Sequence, residues 1–300
     1  MELALGAAAE AGRRAYSRAR RPRELVNLSG ESANDRPTVP TLSALYRYPI
    51  KSTAGEALDR ATVTEEGLLR DRRFMLARPD GSFVTARRYA GLQRVFARFD
   101  GEQLFVMHDD HPAVSESRHA FARQPFQTGV WGDEFPALTT TLRLDAWFSR
   151  IVDEPVHLLW LGDRSNRHRD SIGVRVSFAD GYPLLLTAEA SLADVNARTD
   201  GSHVMAQFRP NVVVADSAAF AEDGWQRIRI GDVVFRVDKP CGRCVMITVD
   251  PATGERRPDG EPLRTLGRYR RQGKDVCFGQ NLVAENSGEL RVGQGVEILE

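Results

Sequence analysis

The sequence is poor in cysteine, neutral in net charge and without a long apolar run. Three cysteines in 300 residues are too few, and odd in number, for the disulfide framework of a secreted protein, and they fit a reducing cytoplasm. No run approaches the roughly eighteen apolar residues of a membrane span. The start, Met1-Glu2-Leu3-Ala4-Leu5-Gly6-Ala7, is acidic at its second residue and too short in apolar length for a signal peptide. Lys+Arg and Asp+Glu are both 41, for a net charge of +0, which argues against non-specific binding to nucleic acid or acidic membranes. None of His108, His111, His119, His157, His168 and His203 shows H-x-x-x-H spacing, and Cys277 stands alone, so a four-ligand zinc site lacks half its ligands. No internal repeat is visible. The expectation is a cytoplasmic protein with no nucleic-acid or membrane partner.

What is present has an ordinary globular composition, 42% hydrophobic and 27% charged. Its length suits one large domain or two modest ones, and local basic sites for a phosphate stay open. The chemistry concentrates at Lys239-Pro240-Cys241-Gly242-Arg243-Cys244, which runs into Val245-Met246-Ile247-Thr248-Val249-Asp250-Pro251. A thiolate is the reactive form of cysteine, and neighbouring cations such as Lys239 and Arg243 favour it. It is also a good ligand for a soft or high-valent metal. Four readings compete: half of a zinc site, a redox pair, two buried cysteines acting as small hydrophobes, or one thiolate bound to a metal that belongs to a larger cofactor. A redox pair of the thioredoxin kind would open a helix, whereas Val245, Ile247, Thr248 and Val249 read as a strand. Spacing alone does not choose among the readings.

Along the chain, residues 1–40 read as a flexible extension, with arginines crowding an alanine-rich segment and then a polar, proline-containing linker. Order is expected from Thr41. Leu42 to Tyr48 reads as a strand, and Phe74 to Ala77, a turn at Pro79-Asp80-Gly81 and Ser82 to Thr85 read as a hairpin. Leu104 to Met107 makes another short strand. Leu144, Trp147, Phe148 and Ile151 fall on one helical face; these aromatics, with Trp131, are expected in the core. Thr187 is placed as a helix N-cap with Glu189 in the first turn, and such a terminus suits an anion. Ile228 to Val237 reads as a hairpin leading to the cysteines, Leu263 to Tyr269 as a short helix, and Leu290 to Ile298 as a strand around Gly293. Many short strands between turn residues predict a mostly β (α+β) protein with barrel-like sheets and a few helices.

Several strings tie these pieces together: Tyr48-Pro49-Ile50-Lys51-Ser52, Gly67 to Phe74, Thr85-Ala86-Arg87, Val130-Trp131-Gly132-Asp133, Phe208-Arg209-Pro210-Asn211, Lys239 to Gly254 and Phe278-Gly279-Gln280-Asn281. In this order they resemble the MOSC family of molybdenum-cofactor proteins, which includes the mitochondrial amidoxime-reducing component and bacterial relatives. Phe74 departs from the family's usual tryptophan, and Arg88 to Leu92 lacks a proline common there.

The resemblance implies two interlocked β-barrel-like subdomains, an N-terminal MOSC-associated barrel over 41–158 and a MOSC domain over 159–300, with the molybdenum cofactor (Mo-molybdopterin) between them. It implies that Cys244 is the molybdenum ligand and catalytic residue. Lys51, Ser52, Arg72, Thr187, Ser191, Arg209 and Asn211 would bind the anionic pterin. No pyridoxal phosphate is called for. The implied activity is an oxidoreductase that reduces N-hydroxylated compounds (hydroxylamines, amidoximes, N-hydroxylated bases). No plant-type ferredoxin motif, C-x-x-x-x-C-x-x-C, follows the matched region, so electrons are expected from a separate donor protein of flavin-reductase, ferredoxin or cytochrome type. The competing function is a non-redox cofactor-binding or sulfur-carrier protein.

Overall fold

A computed structural model describes residues 39–300. The extension expected over 1–40 lies outside the described residues except for its last two. The fold is mostly strands, with four helices among the described residues.

The largest sheet has nine strands. Along it run Glu56–Leu58, Thr41–Arg47, Val212–Ala215, Leu184–Ala188, Asp275–Ala284, Val233–Arg243, Arg227–Ile230 and Val296–Ile298, with Arg271–Gln272 attached beside Asp275–Ala284. At its centre Leu184–Ala188 is buried at every position and runs parallel to Val212–Ala215, the continuous apolar pattern of a strand covered on both faces. In Thr41–Arg47 the buried residues are Leu42 and Leu45, three apart rather than two. A register shift between Leu42 and Ala44 accounts for this, since a bulge inserts one extra residue and turns both leucines inward.

A four-stranded sheet orders Phe74–Ala77, His157–Trp160, Asp133–Thr139 and Pro125–Val130. The helix Leu142–Val152 packs on it through Leu144, Trp147 and Phe148, as the sequence period predicts. Thr141 caps that helix by accepting from the Leu144 amide at 3.2 Å. Phe74 is fully buried there, edge-on to Phe99 and Phe121 and stacked near Trp160. An aromatic side chain so placed contributes about 1.5–3 kcal/mol by burial, which is how the position works without tryptophan.

The two parts are laced through each other. Thr41–Arg47 pairs with Val212–Ala215, and Arg60–Thr64 pairs with Gly288–Arg291. One apolar core therefore joins Leu42, Leu45 and Val63 to Leu184, Val212, Phe235 and Leu282. The boundary expected between 158 and 159 falls inside the strand His157–Trp160.

Four local expectations are corrected. Ser82 to Thr85 is not a strand; the predicted hairpin is reduced to one bridge, Ala77 to Phe83, held by the Val84 amide on the Leu76 carbonyl and the Arg78 amide on the Ser82 carbonyl, while Phe74–Ala77 pairs along its other edge with His157–Trp160. Val245–Thr248 is a 3-10 turn and only Val249–Asp250 is extended, because Ile247 is drawn into a core with Phe208, Leu266 and Phe278, and packing outweighs β propensity. Leu290 to Ile298 is two strands, Gly288–Arg291 and Val296–Ile298, in different sheets on either side of Gly293. The helix Glu189–Ala197 starts from Ala188 with no side-chain cap, so Thr187 is not its N-cap.

Candidate functional site: a basic cleft around the cysteine pair

The strand Val233–Arg243 carries the first cysteine to its end. Its pairing with Asp275–Ala284 slips twice, between Val237 and Lys239 and between Pro240 and Gly242. Pro240 has no amide proton for the ladder, and bulges of this kind re-aim the side chains that follow. Asn281 Nδ2 ties the loosened backbone down by donating to the carbonyls of Lys239 (3.2 Å) and Pro240 (3.3 Å). Cys244 then opens the 3-10 turn with extended backbone. Cys241 and Cys244 are half-buried, whereas Cys277 on the neighbouring strand is buried. Gly279 (φ 77) lets that strand lie against Leu184–Ala188, since a Cβ there would meet the Leu186 carbonyl oxygen at 2.5 Å.

The cysteines open on a cleft of about 610 Å³. Lys51, Ser52, Arg72, Arg87 and Trp131 line it from the first part of the chain. Asp180, Tyr182, Arg209, Asn211, Lys239 and Arg243 line it from the second.

Lys51 is buried, and its ammonium donates to the Phe178 carbonyl at 2.7 Å and to the Asp180 carboxylate. Burial disfavours its charge and Asp180 restores only part of it, so its pKa is pulled down to about 8. Asp180 also accepts from Arg87 at 2.8 Å. Burial would raise the Asp180 carboxyl, but Lys51 and Arg87 together hold it far below the usual range.

Arg72 and Arg209 both lie over the ring of buried Tyr48, at 4.8 and 4.3 Å. Both have left-handed backbone, at φ 49 and φ 56. Arg72 pairs with Asp71 and donates to Asn211 Oδ1 at 3.1 Å. Arg209 ends the single-turn helix Met205–Phe208, and Pro210 then prevents its continuation. It donates to the Thr53 carbonyl at 2.5 Å, and desolvation pulls its pKa down to about 10. Arg243 donates to Cys241 Sγ at 3.0 Å and to the Phe208 carbonyl at 2.6 Å, and its buried Nε finds no partner among the described residues. The guanidinium interacting with Cys244 is Arg87, from the other part of the chain; burial opposes its charge, but Asp180 and Cys244 outweigh that and raise its pKa.

Among the described residues, Lys51, Arg72, Arg87, Arg209, Lys239 and Arg243 thus face only Asp180 and Asp275 as lining carboxylates. A surplus of cations beside a soft sulfur fits an anionic, phosphate-bearing group that takes one thiolate. Among the described residues no three His, Cys, Asp or Glu side chains gather to hold a metal ion, so a metal here would bring most of its own donors.

Two family models match in tandem, the MOSC N-terminal beta barrel domain over residues 39–155 and the MOSC domain over 173–297. Human mitochondrial amidoxime-reducing component 1 is 32% identical over 286 residues, covering 87% of this chain and 83% of that protein. The chain belongs to the MOSC family. The mouse amidoxime-reducing component 1 is likewise 32% identical to this MOSC protein, over 99% of the chain and 91% of its own length. The molybdenum cofactor sulfurase of Solanum lycopersicum is 30% identical over 85% of the chain but only 35% of its own length. Among the described residues no helix of this MOSC chain is long and apolar enough to cross a membrane.

Of the positions singled out in the sequence, Lys51, Ser52, Arg72, Arg209, Asn211 and Cys244 meet in the cleft. Asn211 acts there as a strut: its amide accepts from Arg72 and donates to the Tyr46 carbonyl at 3.1 Å. Thr187 and Ser191 are not brought to the cleft wall. Thr187 is fully buried and its hydroxyl donates to Met205 Sδ at 3.2 Å. The Ser191 hydroxyl is used inside the core, donating to the Glu222 carboxylate at 2.8 Å and accepting from the Phe220 amide at 2.8 Å. Sequence reasoning missed Arg87 and Asp180. Arg87 stood in the Thr85-Ala86-Arg87 string, but Asp180 carried no such mark because its partners are distant in sequence. Trp131, expected in the core, is 53% exposed at the cleft.

Proposed function

We propose that the chain binds the molybdenum cofactor in this cleft and reduces N-hydroxylated compounds to the parent amine or amidine. The observation that carries the reading is Cys244 lying in one cleft with Arg209, Arg243 and Lys239, which have no carboxylate partner among the described residues. Cys244 would supply the protein's sulfur to the metal, while Arg209, Arg243, Lys51 and Arg72 would hold the anionic pterin through charge-assisted hydrogen bonds. Ser52 lines the same wall, and Asn211 keeps Arg72 in place. Arg87, fixed on Asp180, would hold positive charge next to the Cys244 sulfur.

When bound, the cofactor supplies a redox-active metal able to take an oxygen atom, and the protein positions and tunes it. Overall, the N–O bond of the substrate breaks, its oxygen leaves as water, and two electrons and two protons are consumed. The electrons would come from a separate donor protein. Lys51, which titrates near 8, stays mostly charged at neutral pH and so contributes to anion binding there. The coverage of the amidoxime-reducing components over most of their length supports this reading.

A non-redox role in handling the cofactor or its sulfur is the second reading, favoured by the match to the sulfurase. Two measurements separate them: molybdenum and pterin content after expression in a cofactor-making host, and benzamidoxime reduction with a chemical electron donor. Cofactor with turnover supports the reductase. Cofactor without turnover favours the second reading, and no cofactor removes both.

A further inference from the structure

Trp131 and Gly132 form the two-residue loop between the paired strands Pro125–Val130 and Asp133–Thr139, both with positive φ, 52 and 91. That turn matches the twist of a hairpin, but it is an unusual conformation for a bulky side chain. Trp147, Trp160 and Trp225 are 3%, 4% and 7% exposed, whereas Trp131 is 53% exposed. The ring is nevertheless held firmly. Phe83 meets it edge-on at 5.2 Å and the Arg87 guanidinium lies over it at 4.6 Å. Arg87 in turn is anchored on Asp180 and interacts with Cys244. A tryptophan serving only to pack would not stay half exposed while lining a cleft that also holds Cys244.

We propose that Trp131 is the stacking surface that selects planar, delocalised substrates over small aliphatic hydroxylamines, an inference that rests on the reductase reading. An indole face attracts flat and cationic groups. An amidoxime offers a flat delocalised unit, and the protonated amidine formed from it is a planar cation. A methylhydroxylamine has no such surface to stack.

The test uses the cofactor-loaded protein with benzamidoxime and N-methylhydroxylamine as substrates and benzamidine as an unreactive probe. Trp131→Ala should raise KM for benzamidoxime about tenfold more than KM for N-methylhydroxylamine, the loss expected for one stacked contact, and Trp131→Phe should restore most of the preference. Equal changes for both substrates, with wild-type turnover intact, would overturn the stacking role and leave the reductase reading standing. Benzamidine titration should quench the tryptophan fluorescence of the wild type and not that of Trp131→Ala, because the other tryptophans are buried. Quenching without turnover of either substrate would support stacking while sinking the reductase reading. Unchanged fluorescence in the wild type, or equal quenching in Trp131→Ala, would refute the proposal.

Discussion

The two sides of the cleft hold their cations in different ways. From the first part of the chain, Lys51 and Arg87 rest on Asp180 and Arg72 rests on Asp71. From the second, Arg209, Arg243 and Lys239 have no carboxylate within ion-pair distance among the described residues. Arg209 and Arg243 instead donate to carbonyls, and Lys239 lies over the Tyr182 ring at 5.3 Å. A paired, buried charge is costly to break, whereas an unpaired, partly desolvated one already carries its penalty and is relieved when an anion arrives. The first wall is thus built for the fold as well as the ligand, and the second mainly for the ligand.

The largest effect on the proposed reduction is expected at the sulfur between those walls. Cys244→Ser should abolish reductase activity, because a hydroxyl is a poor substitute for a soft thiolate. Cys241→Ser should keep a measurable fraction and Cys277→Ser most of it, assayed as turnover per bound molybdenum. Full activity in Cys244→Ser would reassign the ligand.

Next comes the paired wall. Asp71 accepts from the Tyr48 amide at 2.8 Å and from Arg72, and is 1% exposed. Asp71→Ala strands both donors and should lower the unfolding free energy of the cofactor-free protein by about 3–5 kcal/mol, measured by urea denaturation. The unpaired wall should respond the other way round. Arg209→Ala should weaken cofactor retention by about 1.5–3 kcal/mol, while cofactor-free stability changes by less than about 1 kcal/mol, since a lost carbonyl contact is offset by the removal of a desolvated charge. If Arg209→Ala destabilised the protein as much as Asp71→Ala and kept all its molybdenum, the distinction between the walls would collapse.

The first wall also predicts a pH dependence. Lys51 titrates near 8 in the folded protein against 10.5 in the unfolded chain. Below pH 8 both states hold the proton and the penalty is constant. Between those values the unfolded chain binds the proton that the folded one has released, so stability rises with pH. Lys51→Met should remove that rise, read as the difference between the two proteins in urea unfolding at about pH 7.5 and about pH 10. An unchanged slope would show that Lys51 keeps its ordinary affinity for the proton.

The sequence made the framework readable where a rule is local. The helix face through Leu144, Trp147 and Phe148, the helix Leu263–Tyr269 and the hairpin at Gly231-Asp232 follow from period and turn chemistry. Val245–Thr248 misled because β-branched composition cannot reveal that Ile247 will be claimed by a neighbouring core. The candidate site was legible as strings, which mark Lys51, Arg72, Arg209 and Cys244 but not the contacts each one makes. Arg243 sits next to Cys244 in sequence yet bonds Cys241 Sγ, while Arg87, far away in sequence, interacts with Cys244. Asp180 joins Lys51 and Arg87 only after the sheets have assembled. Such pairings are set by tertiary packing, and no spacing in the chain encodes them.

The central claim is that the unpaired cations and Cys244 hold an anionic molybdenum cofactor. It is tested most directly by molybdenum bound per folded chain in the wild type and in Arg209→Ala, expressed together in a cofactor-making host. The account predicts near-stoichiometric metal in the wild type and a large loss in the variant at equal thermal stability of the cofactor-free forms. A metal-free wild type, or a variant that binds as much molybdenum as the wild type, would contradict it.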